Sequence, residues 1–492
     1  MNIKFDSSAL GNPNLTDDKV YVTFAAASSD MIYDPKGTQE TINFSASAIT
    51  IDGKQYGTSK AYSLANVASK GIQLNTATSL VGFISYGDKT GIEKLGVGSQ
   101  PAFLDPSTSR YSIFEISYNG ATGGADITNI SQFGGAITME FQDSKGTVQS
   151  SIGNSENTTD MFNSLAKCSG FSGSTSSAVI FLNDDGEFVR AVGTNVFPNG
   201  SVQTPFPKFN AYLNSLYITY GTDSVVKKLT NLAPGASAGG EGSAGFPSTT
   251  TATKVTPSTS SDTVIYNLDY HFTAHLTQVE APGGDTPNGT YSVKLKGHVN
   301  ATAANPGTAI QSHKYDDLEI DIAADVLSTN NLYMTNFIYQ AALTGAGIDV
   351  TKSGWDAFIN DFGSANVEAA AIKKAAGDFA EGMTCGFPGS QTYATSDPSS
   401  KLGELTSYEW WQNSQLAYSL AQTTESYYSK YGNAVFLNSN GNNAGNTFNY
   451  EGVYGSPYDD RFGLNLISPD AETTDMVITL MADGDLTPTT TG

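Results

Sequence analysis

A chain of 492 residues is longer than one hydrophobic core ordinarily serves, so two domains are expected. Its 48 acidic and 25 basic residues leave a net charge of -23, which argues against nucleic acid and anionic membrane surfaces as partners. Only 15% of the residues are charged and 50 are glycine, a balance that suits short strands joined by turns better than helical bundles.

In chain order, the opening Met1-Asn-Ile-Lys-Phe-Asp6 lacks the apolar core of a signal peptide, and no apolar run approaches a membrane span. Short β-propense runs follow at 21–24, 41–45, 79–85, 112–118 and 136–141, separated by Gly, Asn, Asp and Ser clusters. That is the grammar of a sandwich or barrel. The composition then shifts. Residues 158–167 start on hydroxyl cap candidates and set Met161, Leu165 and Cys168 at helical spacing. Residues 179–182 read as a buried strand ending in the Asn183-Asp-Asp-Gly186 turn. Residues 207–220 place Phe209, Leu213, Leu216 and Tyr220 on one helical face.

The stretch 232–262 is low in complexity and reads as a long surface loop. Strands resume at 264–266, 271–276 and 291–295. Two long helical regions are predicted: 355–382, with Trp355, Phe358, Ile359 and Phe362, and 403–430, with Trp410, Trp411, Leu416 and Leu420. Residues 476–480 are a closing strand. The order predicts a β-sandwich domain from 1–155 plus 452–492 and a mixed α/β domain from 156–451. Cys168 and Cys385 are the only cysteines, either one disulfide or two buried thiols.

Three stretches resemble the glycoside hydrolase family 64 β-1,3-glucanases. The first is Phe114-Glu-Ile-Ser-Tyr-Asn119 followed by Asp126-Ile-Thr-Asn-Ile-Ser-Gln-Phe-Gly134. The family has a Phe-Glu strand, then an Asn-Ile-Thr-like strand and Val-Asp-x-Phe-Gly. The second is Glu187-Phe-Val-Arg-Ala191 with Phe206–Tyr220, similar to the family's Arg-containing strand and Tyr-rich helix. The third is Tyr454-Gly-Ser-Pro-Tyr-Asp-Asp-Arg-Phe-Gly463, similar to its Tyr-Gly-Phe-x-Phe-Asp-Asp ending. The resemblance implies a mainly β protein with an α/β part: a thaumatin-like sandwich or barrel against a mixed domain. A wide groove between them would hold β-1,3-glucan or a related polysaccharide. It further implies an extracellular monomer and inverting hydrolysis without cofactor or metal.

Inverting hydrolysis needs two carboxyl groups roughly 6.5–9.5 Å apart, one to protonate the leaving oxygen and one to activate a water. Glu115 matches the family's acid, and its apolar neighbours Phe114 and Ile116 would keep it protonated by desolvation. By pattern alone, Glu115 reads as a solvent-facing residue on a half-buried strand. On an extended strand Ser117 and Asn119 face the same way and offer hydroxyl-reading groups. The family's base position is Ser131, whose hydroxyl is too weak a base; losing the base costs on the order of 10²-fold or more. Asp126 substitutes only if a bulge or turn brings it into the groove; its residue context, after Gly123-Gly124, reads as a turn. Thr128 matches a sugar-facing position and reads equally as an ordinary strand threonine. Arg190 either reads sugar hydroxyls or joins a buried ion pair, and Asp459 and Asp460 shape a turn or line the groove.

Two other features have plainer readings. His271 and His275 share a strand face with no third ligand in view, so no metal site is expected. Trp410 and Trp411 suggest a sugar platform, but neighbours on a helix diverge and at least one belongs to a core. Three readings stand open: a hydrolase with a relocated base, a glucan-binding protein without activity, and a structural or adhesive surface protein.

Overall fold

The computed structural model describes residues 1–34, 38–45, 48–51, 54–67, 71–87, 109–129, 132–169, 179–192, 210–221, 224–230, 249–255, 261–304, 311–322, 378–379, 382–383, 386–395, 397–413, 430–443, 446–448 and 467–488. They are mainly β, in three sheets. The chain forms two compact units. The first comprises Met1–Pro198, Gln203–Pro205 and Lys430–Gly492; the second comprises Asn199–Val202 and Phe206–Ser429. Both chain ends therefore belong to the first unit, together with residues 156–198 and 430–451, which the sequence grouped with the other domain.

The first unit is organised by a 15-stranded sheet. Its pairing path runs from the strand Asn446–Phe448 to Ala48–Ile51 without closing, so the described residues form an open sheet, not a barrel. The chain ends meet inside it: Asn2–Asp6 runs parallel to Thr473–Leu480, with Ile3, Phe5, Met476, Ile478 and Leu480 buried by simple alternation. Just past that last strand, Asp483 is fully buried and takes both terminal nitrogens of Arg110, while Arg110 Nε donates to the Gly134 carbonyl at 2.6 Å. The same guanidinium lies 4.4 Å from the Tyr86 ring centroid. A buried charge is tolerable because every strong partner is supplied.

A small three-stranded sheet (Gln132–Phe133, Ile180–Leu182, Phe188–Val192) packs under the helix Thr158–Ser169. Phe162 from that helix stacks on Phe188 at 4.7 Å and meets Phe133 edge-on at 4.9 Å. The helix is capped by Asn157, whose Oδ1 accepts the Asp160 amide at 2.9 Å. The predicted hydroxyl caps do other work: Thr158 Oγ1 accepts the Ala136 amide at 3.0 Å, and Thr159 Oγ1 donates to the Asp485 carbonyl at 2.9 Å. The strand expected at 41–45 shrinks to Glu40–Thr41, because beyond it the backbone turns to isolated bonds such as Ser45 N–H to the Thr58 carbonyl.

The second unit holds a five-stranded antiparallel sheet: Ser224–Thr230, Thr249–Val255, Ser261–Glu280, Thr290–Ala304 and Gln311–Ile322. The low-complexity stretch is thus not all loop. Thr249–Val255, rich in β-branched residues, pairs with residues 261–267. The two short strands expected around 264 and 271 are one strand of 20 residues. Tyr270, Phe272, Ala274 and Leu276 face the core with Tyr291, Val293 and Leu295, under a helix Asn210–Tyr220 that contributes Tyr212, Leu213 and Leu216. Beyond it a 3-10 turn, Leu402–Glu404, precedes a helix Ser407–Gln412. Residues 355–377 and 414–429, Cys385, and the side chains of Cys168 and Trp411 lie outside the described residues. No helix among those described is long and apolar enough to cross a membrane.

Candidate active site

Glu115 lies in the strand Tyr111–Tyr118 of the first unit, paired with Ile72–Tyr86. Phe114 points to one face, edge-on to Phe5 and Phe24 at 6.3 Å each. Opposite it, Gly82 leaves the room the ring needs: a Cβ there would sit 2.0 Å from the Phe114 ring. The other face carries Tyr111 and Ile113, gathered with Ala25, Ile49, Tyr56, Val81 and Phe83 into one buried cluster. Glu115 follows on that second face, opposite Val81, and is half-buried. The strand is therefore buried on both sides until Glu115, and opens there.

The next strand, Gly123–Ile127, folds back in a hairpin whose register sets Asp126 directly opposite Glu115. Side chains directly opposite across a ladder share a face. Ala125 sends its N–H and carbonyl away, to Ile467, at 2.8 and 2.9 Å. Backbone groups alternate sides along a strand, so Asp126 turns its own toward Glu115. The two form a hydrogen-bonded pair, with Cα atoms about 5.5 Å apart. Asp126 is thus a buried strand residue, not the turn residue its context suggested, and it needs no bulge. The Thr128 amide donates to the Ile113 carbonyl at 3.3 Å, which carries the alternation on and leaves Thr128, also buried, beside Asp126.

The turn itself belongs to Asn119. Its Oδ1 accepts the Ala121 and Thr122 amides at 3.0 and 2.8 Å, its Nδ2 donates to Thr122 Oγ1 at 2.9 Å, and Gly120 takes φ +97°. Asn119 therefore does not continue the row of Glu115 and Ser117. Ser117 Oγ accepts the Ser79 amide at 3.1 Å, where Ser79 takes φ +49° beside a register shift. Its hydroxyl fixes the bulge next to the carboxylates.

Arg190, on the strand Phe188–Val192, is 1% exposed, with its guanidinium carbon 5.1 Å from the Tyr111 ring centroid. Burial pushes the Tyr111 phenol up to about 12, against the opposing pull of the Arg190 charge and its hydrogen bond. Gln132 donates to the Tyr111 carbonyl at 2.8 Å. The sequence missed Tyr111, although its alternate spacing with Ile113 and Glu115 marks the shared face. Ser131, Asp459 and Asp460 lie outside the described residues.

Elsewhere, the structure puts Trp410 in a core. It is 1% exposed, stacks on Phe387 at 5.5 Å, and donates its indole N–H to the Leu402 carbonyl at 2.8 Å. A buried ring with its one donor used is no sugar platform.

No protein-family model matches the chain. No curated protein matches it either. Among solved structures it is similar to a glycoside hydrolase family 64 β-1,3-glucanase domain from Clostridium beijerinckii, at 13% identity and a TM-score of 0.44 over 98% of this chain and 97% of that one. It is similar to a laminaripentaose-producing β-1,3-glucanase in complex with laminaritetraose, at 11% identity and a TM-score of 0.43 over 98% of both chains. A shorter likeness, 34% of this chain and 43% of the other, joins it to a family 64 laminaripentaose-producing β-1,3-glucanase from Paenibacillus barengoltzii, at 16% identity and a TM-score of 0.24.

Proposed function

We propose that this chain binds β-1,3-glucan and hydrolyses it with Glu115 as general acid and Asp126 as the second carboxyl group. The observation that supports this reading is the register that sets Asp126 opposite Glu115 on one face. Apolar Val81 and Ile113 beside Glu115 desolvate its carboxyl and favour the neutral form that an acid needs. Asp126 takes the place that Ser131 cannot fill. Thr128, beside Asp126, supplies a hydroxyl for a sugar.

One observation favours a second reading, glucan binding without turnover. The position that matches the family's base is Ser131, whose hydroxyl is too weak to activate a water. Incubation with laminarin separates the two. Under the first reading, Glu115→Gln and Asp126→Asn each lower reducing-sugar release on the order of 10²-fold or more while retention on insoluble glucan persists. Retention by the native chain with no sugar released selects the second reading. Neither release nor retention removes both.

A further inference from the structure

Among the described residues one aromatic side chain is strongly exposed. Tyr393, in the second unit, is 56% exposed, whereas the other described Phe, Tyr and Trp side chains are buried or half-buried. Tyr393 sits opposite Lys401 in an antiparallel bridge. The flanking bonds run from the Ala394 amide to the Ser400 carbonyl at 2.9 Å and from the Leu402 amide to the Thr392 carbonyl at 2.8 Å. Tyr393 and Lys401 are therefore a non-hydrogen-bonded pair, the arrangement that brings facing side chains closest. Gln391, two residues before Tyr393, shares that face. Its Oε1 accepts Lys401 Nζ at 2.5 Å, and its Nε2 donates to the Gly389 carbonyl at 3.2 Å.

The backbone under this face is fixed. Ala394 and Leu402, the next residue on each arm, are buried. The Leu402 carbonyl takes the Trp410 indole N–H at 2.8 Å. Asn413, fully buried, accepts the Thr395 amide and hydroxyl through Oδ1 at 2.8 and 3.0 Å. Asp397 ties the turn between the arms, accepting the Ser399 amide at 3.0 Å and the Ser400 hydroxyl at 2.6 Å. A ring displayed on so ordered a backbone loses little freedom when a ligand covers it.

We propose that Tyr393, Lys401 and Gln391 form a second glucan-binding site, carried by the second unit, which retains the protein on its polymer; this rests on the glucan reading proposed above. A pyranose ring has C–H bonds on its face and hydroxyls around its edge. Tyr393 stacks on the face. Lys401 has three donors, of which Gln391 engages one, so two remain for sugar hydroxyls. Gln391 positions the ammonium. The surroundings favour a sugar over another copy of the chain. The neighbours of Tyr393 on its face, Gln391, Thr395 and Lys401, are all polar, whereas a stable protein contact buries about 800 Å² per partner around an apolar centre.

Retention of the full chain on insoluble β-1,3-glucan tests the site. Tyr393→Ala should weaken retention about tenfold and Lys401→Met about threefold, while Tyr393→Phe, which keeps the ring, retains the native affinity. Reducing-sugar release from soluble laminari-oligosaccharides should be unchanged in all three. Their urea midpoints should match that of the native chain, because the substituted side chains are on the surface. Loss of retention in Tyr393→Ala upholds the site even in a chain that releases no sugar. Retention of the native chain that survives Tyr393→Ala overturns the site and leaves the proposed function standing, whereas a native chain that is not retained removes both. A parallel loss of oligosaccharide turnover overturns the retention role. Self-association in sedimentation that disappears in Tyr393→Ala, with glucan retention intact, assigns the ring to a second copy instead.

Discussion

The sheets of the two units treat their polar residues differently. In the second unit the strand Ser261–Glu280 alternates cleanly over 270–276: Tyr270, Phe272, Ala274 and Leu276 are buried, and His271, Thr273 and His275 between them are half-exposed. A polar residue on such a strand is simply on the wet face. In the first unit the strand Tyr111–Tyr118 is buried at Tyr111, Ser112, Ile113 and Phe114, on both faces. There a glutamate is exceptional, because the strand had an apolar neighbour available on either side. Burial of the surrounding strand, more than polarity itself, distinguishes a candidate catalytic residue from a solvated one.

Substitutions can break or sharpen this contrast. The largest structural effect is expected at the buried pin of the first unit. Arg110→Ala leaves Asp483 as an uncompensated buried charge and should cost about 3–5 kcal/mol, read as the shift of the urea transition. Next come paired truncations. Phe114→Ala in the first sheet and Phe272→Ala in the second should each cost about 3–5 kcal/mol, since both rings are buried. The neighbour of each separates the sheets. Ile113→Ala should cost about 2–5 kcal/mol, whereas Thr273→Ala should fall within about 0.5 kcal/mol. Equal effects at Ile113 and Thr273 would remove the distinction.

A smaller effect is expected in alkali. Burial pushes the phenols of Tyr86 and Tyr111 from 10.0 up to about 12. Above pH 10 the unfolded chain has lost protons that the folded chain keeps. The unfolded state then binds fewer, so stability falls as pH rises. The first unit should keep this contribution in full below about pH 10 and lose it progressively between about 10 and 12. Urea midpoints measured across that range check the slope, and Tyr86→Phe should reduce it. The smallest effect is reserved for the lysine–carboxylate row of the second sheet. Lys294→Ala should leave the midpoint unchanged, because its partners Glu319 and Asp321 are solvated.

Much of the architecture was legible from local chemistry. Short β-propense runs located the strands at 21–24, 79–85, 112–118 and 476–480, and helical spacing located the helices at Thr158–Ser169 and Asn210–Tyr220. By pattern alone Glu115 reads as a solvent-facing residue on a half-buried strand, and only the resemblance of its stretch to a known family singled it out. Errors arose where a residue's partner is remote. Asp126 looked like a turn residue because two glycines precede it, yet the hairpin turns earlier, on Asn119. Thr249–Val255 looked like loop because its repeats carry no apolar face, yet it is held by a long neighbour strand. Trp410 could serve a surface or a core until Phe387 and Leu402 closed around it.

Composition and periodicity determined that the chain would be mainly β, acidic, and punctuated by turns, because these depend on neighbours one to four residues apart. Only the tertiary structure decided that Asp126 faces Glu115, that Asp483 holds Arg110 from 373 positions away, and that His271 meets His298. The reason is physical. Strand register and burial are set by which distant backbone completes each ladder and which side chains exclude water together, and no local pattern in the chain encodes that partner by itself.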